Sequence, residues 1–189
     1  MAKTALMEVR DKVAYVTLNR PEKLNAINNE MLGDLFEAFT EIKDNPDIWV
    51  VVLTGAGRAF STGHDLVMGR NEPRGDTDDF YVFLSNLWKP VIAAVNGYCL
   101  AQGGGLALLS DIRIASENAK FSCLFVKRSL VPDTASSYTL PKLVGYGIAK
   151  EMALTGNIYD ANWALEKGLV NMVVPSESLM GEALKLAET

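Results

Sequence analysis

The chain has 189 residues, 49% of them hydrophobic and 22% charged, which supplies apolar surface for one sizeable core and excludes disorder for the bulk of it. Eighteen basic and 23 acidic side chains leave a net charge of −5, so no basic face is available to neutralise a run of phosphates, and nucleic acid is not an expected partner. No apolar run of about 18 residues and no signal-peptide core near the N-terminus can be found, so no membrane partner and a cytoplasmic location are expected.

Residues 13–18 (VAYVTL) alternate and are rich in β-formers, which predicts a strand that Asn19-Arg20-Pro21 breaks. Residues 25–44 carry apolar side chains at helical spacing, with Asn25 or Asn28 as the cap. Residues 49–53 (WVVVL) form a nearly all-apolar strand of the kind covered on both faces. A turn at 54–57, a short strand at Ala59-Phe60 and a second turn at Thr62-Gly63 follow. Residues 71–79 are polar and read as a loop, and residues 80–88 as a helix. Residues 90–95 (PVIAAV) form another buried strand, and 98–100 continue extended after a turn at Asn96-Gly97. A buried helix is predicted to begin at 106–109, with strands at 112–115 and 120–122. Residues 134–146 are mixed, 147–155 and 161–167 are helical, 170–174 close as a strand, and 177–188 start a final helix. Strands alternate with helices throughout, so the class is α/β, with residues 1–189 forming one domain.

Gly103-Gly104-Gly105 is the first place that points to chemistry. Glycines between a strand and an apolar helix let the backbone approach a ligand and leave the first helical N–H groups unobstructed. Such donors, with the helix dipole, suit an anion or a developing oxyanion. A tight packing turn is the competing reading. The run is neither a phosphate loop nor a dinucleotide fingerprint, since no Gly-Lys-Ser/Thr follows and Gly-x-Gly-x-x-Gly is absent. A second turn, Ser61 to Asp65, offers the N–H of His64; two donors facing one point would make an oxyanion hole. His64 is the only histidine, which excludes a His-rich metal site and leaves a Ser-His-Asp triad no choice of base. Cys99 and Cys123 sit among apolar residues and read as reduced, buried thiols.

Taken together these segments resemble the crotonase superfamily, the enoyl-CoA hydratase/isomerase group. The resemblance covers nearly the whole chain. It rests on Leu18 to Ala26 (LNRPEKLNA), Val52 to Gly55 with Ala59 to Leu66 (AFSTGHDL), and Lys89 to Tyr98 (KPVIAAVNGY). It continues through the glycine turn to Ser110-Asp111-Ile112, then Leu154-Thr155-Gly156 and Ala164 to Val174. The resemblance implies a crotonase-like spiral of ββα units, assembled as a homotrimer or dimer of trimers. It also implies a coenzyme A thioester as substrate, with coenzyme A as part of that substrate rather than a separate cofactor. The thioester carbonyl would lie in an oxyanion hole made by the backbone N–H groups of His64 and of Gln102 or Gly103, Gln102 standing where the family usually has glycine. Lys23, Leu24 and Ala26 fall where the family's first loop lines the coenzyme A groove. No metal or redox cofactor is implied.

The chain departs from the family's two-glutamate hydratases. One glutamate position is Gly105 and the other is Phe125, and neither residue can transfer a proton. A different acid is present: Asp133, in the run LVPDTASSY, resembles the aspartate of family isomerases, including the ring-epoxide type. The run also resembles that of 4-chlorobenzoyl-CoA dehalogenases, which use an additional histidine upstream of the Lys-Pro strand; this chain has none there. Isomerisation with Asp133 as proton shuttle is therefore the leading expectation, ahead of a hydratase or hydrolase using another acid and of a catalytically silent subunit. Phe125, Leu130 and Val131 are expected to give Asp133 an apolar pocket, although Pro-Asp-Thr is also a fair helix cap. Met68, residues 80–88 and Phe125 are expected to line an acyl pocket suited to an apolar or aromatic chain. Asp65 is expected to be structural, and Ser137 and Tyr138 to serve in packing and turn. Family members continue with further C-terminal helices, so a truncated C-terminal helical segment is expected, with apolar surface left for oligomerisation to cover.

Overall fold

The computed structural model describes residues 3–66, 77–134 and 136–189. Four successive ββα units make up most of it. They are β1 (Ala5–Arg10), β2 (Val13–Leu18) and α1 (Asn29–Asp44); β3 (Val50–Gly55), β4 (Ala59–Ser61) and α2 (Thr77–Ser85); β5 (Val91–Val95), β6 (Tyr98–Leu100) and α3 (Gln102–Leu109); and β7 (Ile112–Ser116), β8 (Lys120–Ser122) and α4 (Ser136–Thr155). The chain then runs through β9 (Tyr159–Asp160), α5 (Ala161–Glu166), β10 (Met172–Val174) and α6 (Leu179–Ala187). From the second unit onward the first strand joins a six-stranded sheet, β1-β2-β3-β5-β7-β10, and the second joins a four-stranded sheet, β4-β6-β8-β9. Pairing is parallel apart from β1 with β2 and β8 with β9. This is the spiral that the resemblance implies.

The all-apolar strands follow from burial on two sides. Val51 and Leu53 of β3, and Ala93 and Val95 of β5, point into the main core. Their neighbours Val50, Val52, Ile92 and Ala94 point the other way, where Leu179 and Ala183 of α6 cover them. Period-2 alternation is thus invisible in hydrophobicity although it holds in space. Helix α1 buries Met31, Leu35, Phe39 and Ile42 along one stripe, and Phe39 meets Phe80 of α2 edge to face at 5.7 Å. Buried Lys89 closes its far end by donating from Nζ to the carbonyls of Ile42 and Asn45, and burial lowers its pKa against the raising effect of Asp44.

Several element bounds differ from the sequence reading. Helix α1 starts at Asn29, not Asn25: the Asn28 side chain accepts from Met31 N at 2.9 Å, while Asn25 is left-handed (φ 54°) and belongs to the preceding loop. Strand β1, which the sequence reading lacks, is an edge strand whose Leu6 and Val9 are exposed, so it carries little periodic signal. Helix α2 begins at Thr77, inside the stretch read as loop; the remainder of that stretch, and Met68, lie outside the described residues. Helix α3 starts at Gln102, four residues before the predicted 106, because packing overrides the poor helix propensity of three glycines. The region read as mixed is the first half of α4, which holds Pro141 and kinks at Gly145 (φ 79°). The closing strand is shorter than 170–174, and α6 follows a 3-10 turn at Ser176–Ser178.

Candidate active site

The site is assembled from three turns that follow strands. The first runs from Arg20 to Ile27. Pro21–Lys23 form a 3-10 turn, and Leu24 and Asn25 are both left-handed. Asn25 is fully buried and holds the loop together: its Oδ1 accepts from Arg20 N at 2.9 Å, and its Nδ2 donates to the carbonyls of Ala56 and Ala59 at 2.9 and 2.7 Å. Lys23 is exposed, and Leu24 and Ala26 are half-buried beside it.

The second turn, after β4, is locked onto the first. Ile27 N donates to Gly63 O and Asp65 N donates to Ile27 O, both at 2.8 Å. These two bonds flank His64 in a parallel bridge to Ile27, so the N–H and carbonyl of His64 face away from that partner. The His64 N–H has no backbone acceptor among the described residues, and its side chain is exposed. Asp65 is buried and pairs with Arg20 Nη2 at 2.9 Å, while Arg20 Nη1 donates to Ala26 O. Asp65 is thereby a structural clamp between the first two turns, as expected. The Arg20–Asp65 pair was legible only as two letters of a motif; that they meet across 45 positions is a structural finding.

The third turn opens α3. Ala101, the residue before the helix, has φ 47° and ψ −122° and caps nothing with its side chain. The first backbone bond of the helix is Gly105 N to Ala101 O at 3.1 Å, so the N–H groups of Gln102, Gly103 and Gly104 find no backbone acceptor among the described residues. Glycine is required at 103, where a Cβ would stand 2.5 Å from Ser61 O. It is required again at Gly63 (φ 93°), where a Cβ would stand 3.1 Å from Gln102 N. These close approaches bring the turn carrying His64 against the N-terminus of α3, where Ala101 Cβ, Gln102 N and Leu100 O lie equally near Gly63.

Beside this pair of donors stands the Asp133-Thr134 turn. A Cβ on Gly105 would lie 2.7 Å from Thr134 Cβ and 3.0 Å from Thr134 O. Thr134 is left-handed (φ 49°), and its Oγ1 donates to Asp133 Oδ1 at 2.5 Å. Ser136 N donates to Asp133 O at 2.8 Å, which joins the turn to α4. The space that a longer side chain at 105 would need is thus filled by the turn that carries Asp133. The expected apolar pocket is not formed by the expected residues: Phe125 is buried in the core, whereas Val131 is 79% exposed and Leu130 and Asp133 are also exposed. The segment after Phe125 leaves the core through a left-handed Ser129, which turns these side chains outward. Of residues 80–88, Phe80, Tyr81 and Leu84 pack into the core, while Val82 and Trp88 are exposed. Both thiols are buried, as expected; burial pushes Cys123 up to about 11 and Cys99 further still. Among the described residues no group of three or more His, Cys, Asp or Glu side chains is placed to hold a metal ion, and no helix is long and apolar enough to cross a membrane.

The α/β spiral thus packs the turn carrying His64 against the N-terminus of α3, with the Asp133-Thr134 turn against Gly105. The family model described as enoyl-CoA hydratase/isomerase matches residues 8–189, and the chain belongs to that family of acyl-CoA-processing enzymes. It is 40% identical over 192 residues to (E)-benzylidenesuccinyl-CoA hydratase of Thauera aromatica, covering 96% of this chain and 74% of that one. It is 38% identical over 198 residues to 1,2-epoxyphenylacetyl-CoA isomerase of Escherichia coli K12, covering 99% and 76%. Among solved structures, enoyl-CoA hydratase/isomerase from Pseudoalteromonas atlantica T6c superposes with a TM-score of 0.93 at 35% identity, covering 98% of this chain and 76% of that one.

Proposed function

We propose that the protein moves a proton between carbons of an acyl-CoA thioester, with Asp133 as the shuttle. The thioester carbonyl oxygen accepts from the N–H groups of His64 and Gln102, two donors without a backbone acceptor among the described residues, on turns that pack together at Gly63. As Asp133 removes a proton from an acyl carbon, negative charge moves onto that oxygen, where preorganised donors stabilise it more than they do the neutral carbonyl. The same carboxyl group returns the proton to another carbon of the enolate, so the double bond shifts and the mass is unchanged. The acyl group itself covers the exposed carboxylate when bound. Lys23, with Leu24 and Ala26 beside it, offers an ammonium and apolar contacts to the coenzyme A moiety. Tyr138, Tyr146 and Leu154 leave an exposed apolar surface on α4 that assembly into homotrimers would cover.

The observation that carries this reading is the contact of Thr134 with Gly105. Position 105 of α3 cannot present a carboxylate of its own, because the turn bearing Asp133 occupies that place. A second reading rests on the exposure of Asp133 to solvent: the carboxylate would then activate water for hydration or hydrolysis. Mass-spectrometric analysis of a panel of 2-enoyl, 3-enoyl, dienoyl and aromatic acyl-CoA substrates separates the two. The expected result is a product of unchanged mass with a displaced double bond, lost in Asp133→Asn while thioester binding persists. An acyl-CoA product heavier by one water, or release of free acid and coenzyme A, supports the second reading, and full turnover by Asp133→Asn overturns both.

A further inference from the structure

Behind the first turn of α3 lies a cavity of about 20 Å³, between that helix, the end of β8 and the start of α4. Arg113 also lines it, and donates from Nε to Leu169 O and from Nη1 to Ser110 O. The remaining walls are mostly apolar or thiol side chains, with two exceptions. Ser122, the last residue of β8, and Ser136, the first of α4, both line the cavity, and the hydroxyl of each is buried with no partner among the described residues. They are 4% and 2% exposed. A space of this size admits about one water molecule, and a buried water needs at least two polar partners.

We propose that one water molecule bridges the Ser122 and Ser136 hydroxyls and that these serines are positioning residues for the reaction. The main chain of each is tied to one half of the site. Ser122 O accepts from Ala101 N at 2.9 Å, and Ala101 is the residue whose unusual conformation opens α3 and aims the N–H of Gln102. Ser136 N donates to Asp133 O at 2.8 Å and closes the turn that carries the carboxylate. The bridge therefore adds a hydrogen-bonded link between oxyanion donor and base, with a hydroxyl at each end, to the packing of Thr134 on Gly105. This inference rests on the reading of Asp133 as the base, but the bridge itself can be tested without turnover.

The experiment combines a crystal structure of the wild-type protein at a resolution that orders waters with Ser122→Ala, Ser136→Ala and the double variant. Thr40→Ala, which removes another buried, unpartnered hydroxyl far away on α1, is the control. Expected are a water within hydrogen-bond distance of both Oγ atoms and amide exchange at Ser136 about 10-fold faster in Ser122→Ala, a variant that leaves the Ser136 turn itself intact. Each single variant lowers kcat about 10-fold at nearly constant KM, as loss of positioning does. The double variant is no slower than either single one, because one link has been cut twice. Absence of the water, unchanged exchange at Ser136, or additive losses in kcat overturn the bridge. Faster exchange with unchanged kcat refutes the positioning role; if Asp133→Asn is then also fully active, the failure belongs to the assignment of the base.

Discussion

Replacing Gly105 by alanine tests the packing on which the site is built. Gly105 lies inside α3, where alanine is favoured over glycine by about 1 kcal/mol from helix propensity alone. Against this, the new methyl would stand 2.7 Å from Thr134 Cβ and 3.0 Å from the Thr134 carbonyl oxygen, so the turn or the helix must shift. Overpacking of this kind costs about 1–3 kcal/mol, and at the shorter of these contacts we take the upper half of that range. The net expectation is a loss of about 1–2 kcal/mol, or roughly 2–8 °C in Tm for a domain of this size. Turnover falls further than stability, because the group displaced is the neighbour of Asp133. Thr134→Gly in the same chain should recover part of the loss, since it removes the side-chain clash and suits the positive φ at 134. Recovery stays incomplete while the carbonyl contact remains. Thermal melts and product formation on the four proteins of this cycle decide the matter. If Gly105→Ala is as stable and active as the wild type, Thr134 does not fill the space beside α3 and the argument that the Asp133 turn replaces a side chain at 105 fails.

Gly63→Ala places a methyl 3.1 Å from Gln102 N and strains a φ of 93°, so kcat should fall by about 10²–10³, the usual cost of losing an oxyanion donor, whereas His64→Ala should retain activity within about threefold because only the His64 N–H is used; steady-state kinetics on both distinguishes backbone from side-chain chemistry. Asp34 accepts from Thr4 N and Thr4 Oγ1 at 2.6 and 2.7 Å and tethers β1; burial alone would raise its pKa, but these bonds hold it below 3.8. Its stabilising contribution is therefore present above the unfolded value and lost as pH falls through the lower folded one, so the Tm deficit of Asp34→Ala should be largest near neutrality and shrink below about pH 4. Cys99 and Cys123, buried and held protonated, should resist iodoacetamide at pH 8 in the folded protein and react within minutes in denaturant; mass spectrometry of the labelled chain counts both.

Much of this architecture is legible in the sequence because local signals agree with the packing. Strands such as VVVL and VIAAV are so apolar that only burial on both faces accommodates them, and the main core and α6 supply those faces. The two turns that meet at the start of α3 are legible because glycine is needed wherever backbone approaches backbone, as at 63 and 103. What is not legible depends on which segments meet. Nothing local says that Thr134 will lie on Gly105, that Arg20 will find Asp65, or that Val131 will face outward while Phe125 turns in. Strand β1 is missed for a different reason: it pairs by its backbone at an edge and buries little besides Ala5, so hydrophobicity carries no trace of it. Helix α3 begins early because the contact of Gly103 with Ser61 outweighs intrinsic propensity, a tertiary effect that no window of sequence reports.

The donors at His64 and Gln102 are peptide groups, and this divides the site into two parts that answer to mutation differently. Any residue but proline supplies an N–H, so on the proposed reading side-chain exchange at exposed position 64 leaves the electrostatic half of the catalyst standing, while at buried position 102 the new side chain must also fit the space of Gln102. The acid is held on a surface turn attached to the scaffold through Thr134 and Ser136, and it can be altered without rebuilding the strands beneath. If the proposed roles hold, a fold arranged in this way would keep its hold on the thioester while its proton chemistry is rewritten, so a chain could lose one reaction before it has acquired the next and still remain a folded binder of the same substrates.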